Sequence, residues 1–462
     1  MSVTHTLRTQ IATLLPAHNI VSIGDDTPFL LDQRHRYYSN NSLVVMPENT
    51  EQVQSLVRFC QEQRLPIVPQ GGNTGLVGGS YAQDAIIINL SKLNRIRQFH
   101  HADQAITVEA GCILQHIQAA AEQVGFYFPL SLASEGSCQI GGNIACNAGG
   151  LNVVRYGTMR DLVLGLEVVL PDGQLISQLT PLHKNTTGYD LKHLFIGSEG
   201  TLGIITAATL KLFAPTRSNA TAWIGISSID EAMRLLSLVR NHFAERLSSF
   251  ELISHFALHL SAQFSKLPEP ENAEWHILLE LSDSLPQQPL SECLGDFLYE
   301  HGFHHSILAQ SEQERQNLWT LRENISAAQR HLGVSIKHDI ALPIAQTAAF
   351  VKACQNALMQ QFADVQTVVF GHLGDGSLHY NVFLPDTSTD VYQQENAVNE
   401  VVYRHVLAHH GTIAAEHGIG CLKNHWLPAV RSKSELNLMR AIKNQFDPLN
   451  LFNPNKLLPE NA

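Results

Sequence analysis

Residues 71–80 read Gly-Gly-Asn-Thr-Gly-Leu-Val-Gly-Gly-Ser, directly after the apolar run Leu65-Pro66-Ile67-Val68-Pro69, and constrain this chain more than any other stretch. A short strand entering such a loop brings bare backbone N–H groups to one end of a sheet. Absent side chains there admit a pyrophosphate-sized anion, and Asn, Thr and Ser add donors. The stretch is not a Walker loop. It also lacks GxGxxG with an acidic ribose partner, so a Rossmann nicotinamide site loses support. Standing alone, it fits dinucleotide binding and a plain surface turn equally well.

Two further loops break the tie. Ser134-Glu135-Gly136-Ser137-Cys138-Gln139-Ile140-Gly141-Gly142-Asn143, continuing to Asn147-Ala148-Gly149-Gly150, and Gly197 to Thr206 repeat the same small and amide residues. A flat, polar isoalloxazine ring needs close backbone and amide partners at its edge, and such residues provide both.

Around these loops the periodicity predicts an α+β pattern. Val53, Leu56, Val57 and Cys60 mark a helix, and strands are expected at 85–90, 105–110, 162–170 and 203–213. A helix is expected at 114–124 and a long loop from Ser131 to Leu151. Pro215 suggests a boundary. Beyond it, helices at 229–245 and 290–301 alternate with strands at 222–226 and 275–281. The expected domains are 1–215, 216–420 and a closing segment 421–462.

The 462 residues are ample for a large core, and the formal charge of -12 disfavours nucleic acid as a partner. An anionic substrate must therefore meet a local basic patch. Seven scattered cysteines without a CxxC pair fit neither a disulfide framework nor a thiolate zinc site, so a reducing, cytoplasmic setting is expected. No integral membrane segment is expected, although peripheral association with a membrane stays open.

With 24 histidines in the chain, one imidazole means little; clustering matters. In Gly371-His372-Leu373-Gly374-Asp375-Gly376-Ser377-Leu378-His379-Tyr380-Asn381, a strand enters a Gly-Asp-Gly turn and another leaves it, so two imidazoles can converge across a hairpin. Glu416 and His417 follow later, before Gly418-Ile419-Gly420. His372, His379 and Glu416 suit a divalent metal such as Zn²⁺, while the competing reading is a hydrogen-bonded polar core. His417 has the right chemistry for a general base.

These motifs, in this order and spacing, resemble the FAD-binding fold of the vanillyl-alcohol oxidase and p-cresol methylhydroxylase superfamily. The second half resembles the FAD-linked D-2-hydroxy acid dehydrogenases, most of all those acting on D-2-hydroxyglutarate. The resemblance implies a two-part FAD-binding domain with an inserted α+β substrate (cap) domain, and a C-terminal segment that returns to the FAD domain. It implies FAD contacts at Gly71, Gly72, Asn73, Thr74, Gly75, Ser80, Ser134, Glu135, Gly136, Ser137, Gly141, Gly142, Asn143, Asn147 and Ile204. It makes His372, His379 and Glu416 the metal ligands and His417 the base.

The resemblance also assigns substrate contacts to Arg322, Ser326, Lys337 and Asn381. Arg322 can grip a carboxylate bidentately, and an ammonium at Lys337 on an apolar strand invites a second anionic group. A dicarboxylate such as D-2-hydroxyglutarate, or malate, is therefore expected, with D-lactate or glycolate as the alternative. Ser326, Ser377 and His338 depart from the residues expected in the closest relatives. The expected reaction delivers electrons to an external acceptor, a quinone or a carrier flavoprotein, and is compatible with a homodimer.

Overall fold

In the computed structural model, which describes residues 3–459 apart from 23, 25, 286–288 and 386–390, the chain forms two compact units. The first comprises Met1–Gly149, Gly157–Ala214 and His417–Ala462; the second comprises Gly150–Tyr156 and Pro215–Glu416. Residues 150–156 thus belong with the second unit and 417–420 with the first.

The first unit contains two sheets. The smaller is parallel, in the order Leu43–Val45, Ile86–Asn89, Ile67–Gln70. Ile86–Asn89 is its middle strand and is buried throughout, as a parallel strand covered on both faces must be. The helix Thr50–Gln63 forms because Val53, Leu56, Val57 and Cys60 share a buried face. Asn49 caps it by accepting a hydrogen bond from the Gln52 N–H, a contact worth about 1 kcal/mol. The larger sheet is antiparallel, in the order Ile96–His100, Ala105–Glu109, Ile204–Lys211, Val163–Val169, Leu175–Ser177. The closing segment adds the helix Lys433–Phe446, and the Ile67 N–H and C=O bond to the Leu451 C=O and the Asn453 N–H, each at 2.7 Å.

One expectation needs correction. The stretch 131–151 is not wholly loop, since Ile140–Ala145 is helical. Two glycines make that a poor helix by propensity, but Ile140 and Ile144 are fully buried, and that packing outweighs the local preference.

The second unit is built on a seven-stranded sheet in the order Ser306–Leu308, Ser218–Ile226, Trp275–Asp283, Leu247–Ser254, Gln366–Gly371, Ser377–Phe383, Ile336–Ala341. On one face the helices His255–Ser265 and Glu312–Glu323, followed by the short Ile325–Ala328, close over Trp223, Ile253, Leu278, Val368 and Phe370. Against the other face, Phe350 of Thr347–Gln361 packs on Tyr380, and Tyr403 of Glu395–Ala408 packs on His338. Among the described residues no helix is long and apolar enough to cross a membrane.

Candidate functional site: a dinucleotide cradle and a metal-ligand hairpin

In the first unit the glycine-rich loops touch. A Cβ on Gly72 would lie 2.1 Å from the Ser137 carbonyl oxygen, so only glycine lets the 71–80 loop lie against the 134–143 loop. Asn89 ties down the start of the first loop, its amide donating to Gln70 Oε1 and to the Gly71 carbonyl, each at 3.0 Å. The Asn73 amide donates to the Leu31 and Pro28 carbonyls, and Ser80 Oγ donates to Asn73 Oδ1 at 2.7 Å. Those two side chains therefore brace the loop. Thr74 lies beside them, half-buried.

In the second loop the Ser137 and Cys138 N–H groups fold back onto the Ser134 carbonyl, with Glu135 and the exposed Gly136 between them. The Gly141 N–H bonds to the Ala110 carbonyl at 2.8 Å, seating the glycine pair against the larger sheet. Asn143 is buried with its amide on Cys138 Sγ, and Asn147 Oδ1 accepts from the Arg160 N–H. Ile204 is fully buried at the start of its strand.

These residues fit a dinucleotide such as FAD on two observations. Nothing lies within 4 Å of a Cβ built on Gly75, Gly79 or Gly142, and Gln139 Oε1 is buried without a hydrogen-bond partner. The sequence reading passed over the buried carboxylate of Glu199, which accepts from the Ile419 and Gly420 N–H groups at 2.8 and 2.7 Å. Burial pushes its pKa up. Asn453, which opens the Asn453-Pro454-Asn455-Lys456 run of the closing segment, donates to the Gly79 and Glu199 carbonyls at 2.8 Å.

The residues of the second unit that could hold a metal ion lie on three of its segments. Phe370 pairs with His379 across the hairpin, and Gly376, at φ +89°, takes a turn conformation that L side chains resist. A Cβ there would also meet the Leu342 carbonyl oxygen at 2.4 Å. Arg240, from the helix Ile229–Phe243, donates to the Gly374 carbonyl and holds the turn from outside. One donor atom from each of His372, His379 and Glu416 lies within 4.8 Å of the others. Glu416 is steered there by its own N–H on Asp339 Oδ2 at 3.1 Å, while its Oε1 accepts from the Gly150 N–H at 2.8 Å.

The electrostatics suit a cation. The carboxylates of Glu251, Asp339, Asp375 and Glu416 gather around the imidazoles. Burial disfavours charge on both Glu251 and His372, but their attraction prevails, with Arg322 adding its pull on Glu251. The carboxyl falls to about 2 and the imidazole rises to about 9. Burial pushes Glu416 up, His372 opposes that shift, and Asp339 reinforces it. Two imidazoles with a carboxylate form a donor set for a borderline divalent ion.

The proposed substrate contacts divide. Lys337 sits opposite Asn381 and Asp339 opposite His379, so all four project from one face of the sheet. Asn381 is buried, its amide donating to Gln329 Oε1 at 2.8 Å. Arg322, 6% exposed, donates through Nε to Glu251 Oε2 at 2.7 Å and stacks over the Phe370 ring. Ser326 is exposed. His338 points away from this face, with Nε2 on Asn399 Oδ1, so its departure from the relatives' residue says nothing about substrate. His417 is half-buried and follows Glu416 in the chain. Glu251 was missed, and a lone carboxylate between Phe250 and Leu252 in the strand Leu247–Ser254 was the available signal.

Comparison with known proteins bears on the FAD-binding fold and the family. Residues 42–178 match the FAD binding domain family, and residues 216–457 match the C-terminal domain of FAD linked oxidases. The mitochondrial D-2-hydroxyglutarate dehydrogenase of Bos taurus is 37% identical, over 97% of this chain and 82% of its own length. That of Xanthomonas citri pv. viticola is 36% identical over 92% and 91%. A putative mitochondrial D-lactate dehydrogenase of Schizosaccharomyces pombe is 36% identical over 94% and 85%. Among solved structures, p-cresol methylhydroxylase with substrate bound superposes at TM-score 0.79 and 16% identity, covering 100% of this chain and 98% of that one. That likeness establishes the expected α+β, p-cresol methylhydroxylase type of fold. Sequence and fold together place the chain in the family of FAD-linked D-2-hydroxy acid dehydrogenases.

Proposed function

We propose that this chain oxidises a D-2-hydroxy dicarboxylate, of the 2-hydroxyglutarate or malate type, to the 2-oxo acid with a divalent metal, most simply Zn²⁺, as a second cofactor. FAD-dependent oxidation of D-2-hydroxy acids is the family's chemistry. The observation that carries the finer reading is the convergence of His372, His379 and Glu416 on the sheet face that also bears Lys337 and Asn381.

FAD supplies a two-electron acceptor for the hydride lost from the substrate Cα. A divalent cation supplies Lewis-acid polarisation of the substrate oxygens. His372, His379 and Glu416 would hold that cation. His417, next in the chain after Glu416, would take the hydroxyl proton, since a neutral imidazole accepts a proton near neutral pH. Arg322 would bind one carboxylate, and Lys337, with Asn381 beside it, the distal one; Ser326 would add a hydroxyl. Electrons would leave to a quinone or a carrier flavoprotein. The scattered cysteines, without a CxxC pair, favour a reducing compartment such as the cytoplasm.

The test is anaerobic bleaching of the flavin by D-2-hydroxyglutarate, D-malate, D-lactate and their L-enantiomers, before and after chelation and zinc return. Preferential, metal-dependent reduction by the D-dicarboxylates is expected. Equal or faster reduction by D-lactate moves the assignment to the monocarboxylates, as the Schizosaccharomyces pombe relative's name would suggest.

A further inference from the structure

Glu251 is fully buried in the strand Leu247–Ser254, and its two carboxylate oxygens serve two different groups. Oε1 lies 2.7 Å from His372 Nδ1 and also receives Ser249 Oγ at 3.3 Å; Oε2 accepts from Arg322 Nε at 2.7 Å. An ionised carboxylate only accepts, so His372 must carry its proton on Nδ1. With Nδ1 committed to Glu251, Nε2 is the nitrogen left to face Glu416, whose Oε1 is 3.7 Å from it, and the one a bound cation would take in place of any second proton. On the other side, engaging Nε fixes the guanidinium over Phe370, with Cζ 4.9 Å from the ring centroid, and leaves carboxylate recognition to the Nη end.

We propose that Glu251 is a positioning residue shared by the metal site and the substrate clamp, fixing the tautomer of His372 and the orientation of Arg322 at once. This rests on the reading of His372 as a metal ligand. Groups that orient a ligating histidine typically change metal affinity about 10–100-fold when removed.

The chemistry of glutamine makes the test specific. Glu251→Gln offers one acceptor to two donors. Arg322 cannot give up its proton whereas His372 can move its own to Nε2, so the amide oxygen turns to Arg322 and the amide nitrogen faces Nδ1. His372 then presents a donor where the cation should bind. Zn²⁺ affinity of the metal-stripped protein, measured by competition with a chromophoric chelator, should fall about 10–100-fold. The double variant Glu251→Gln/Arg322→Met frees the amide oxygen for His372, and its affinity should return to within a few-fold of wild type. Glu251→Asp keeps an acceptor-only carboxylate, so it should bind zinc more tightly than Glu251→Gln, while its shorter arm holds Arg322 less well and raises KM for the hydroxy acid above wild type.

Wild-type zinc affinity in Glu251→Gln, or a double variant as weak as the single one, overturns the proposal. If Glu251→Gln does not fold, the comparison passes to Glu251→Gln/Arg322→Met against Glu251→Leu/Arg322→Met, which strand no buried cation and differ in the acceptor offered to His372. At least tenfold weaker zinc binding by the leucine variant supports the role, and equal binding overturns it. Wild-type protein that takes up no zinc overturns the metal reading itself, a result distinct from zinc uptake that is indifferent to Glu251.

Discussion

Gly72→Ala tests the contact on which the proposed cofactor cradle depends. Gly72 does not have a positive φ, so alanine carries no conformational penalty there and the effect is steric. The new Cβ would sit 2.1 Å from the Ser137 oxygen, 3.0 Å from its carbonyl carbon and 3.2 Å from Cys138 Cα, all backbone atoms that no rotamer change can move. Restoring ordinary contact requires the two loops to separate by roughly 1 Å, and overpacking of that kind costs about 1–3 kcal/mol. If the cost falls on the FAD-bound state, it raises the dissociation constant roughly 5- to 150-fold. The assay is titration of FAD into apoprotein, followed by flavin fluorescence, beside the melting temperature of the apoprotein. Gly142→Ala is the matched control. Nothing lies within 4 Å of its added Cβ, so the apoprotein should melt normally while FAD binding weakens if the cofactor fills that space. A Gly72→Ala protein with wild-type FAD affinity and melting temperature would refute the argument that the loops meet at this point.

Three further outcomes are expected. His379→Ala should fold yet lose zinc on dialysis, which metal analysis per chain would reveal; retention of a full equivalent would contradict the assigned ligand set. Lys337→Ala should raise KM for D-dicarboxylates about 10–100-fold, the worth of one hydrogen bond to a charged group, and leave D-lactate nearly unaffected. A parallel loss for both substrates would remove Lys337 from the distal carboxylate. The buried His276, which accepts from Trp223 Nε1, is held down to about 4 by burial and then by repulsion from His255. Below its ordinary pKa of about 6.5 the unfolded chain binds a proton that the folded chain refuses, so stability falls with pH down to about 4, by up to about 3 kcal/mol. Urea unfolding at pH 7.5 and pH 5 should show a smaller acid loss in His276→Gln; an unchanged pH dependence would exclude this residue as its source.

Much of this protein is local and therefore readable from sequence. Helical spacing over Val53 to Cys60, the glycine loops and the Gly-Asp-Gly hairpin each depend on residues a few positions apart, where steric and hydrogen-bonding rules act directly. The hairpin even dictates that two imidazoles lie near each other. What sequence reasoning could not reach depends on sheet order and register. Leu247–Ser254 lies beside Gln366–Gly371 in the sheet, and that adjacency lets a carboxylate at 251 meet an imidazole 121 positions away. Alternation along Ile336–Ala341 puts Lys337 and His338 on opposite faces, but only packing against Tyr403 and Asn399 decides that His338 has the structural side. Likewise the need for glycine at position 72 arises from Ser137, and the helix Ile140–Ala145 from the burial of its isoleucines. Local chemistry selects the parts. Long-range pairing, whose energy appears only once distant segments have closed, decides which parts share a site.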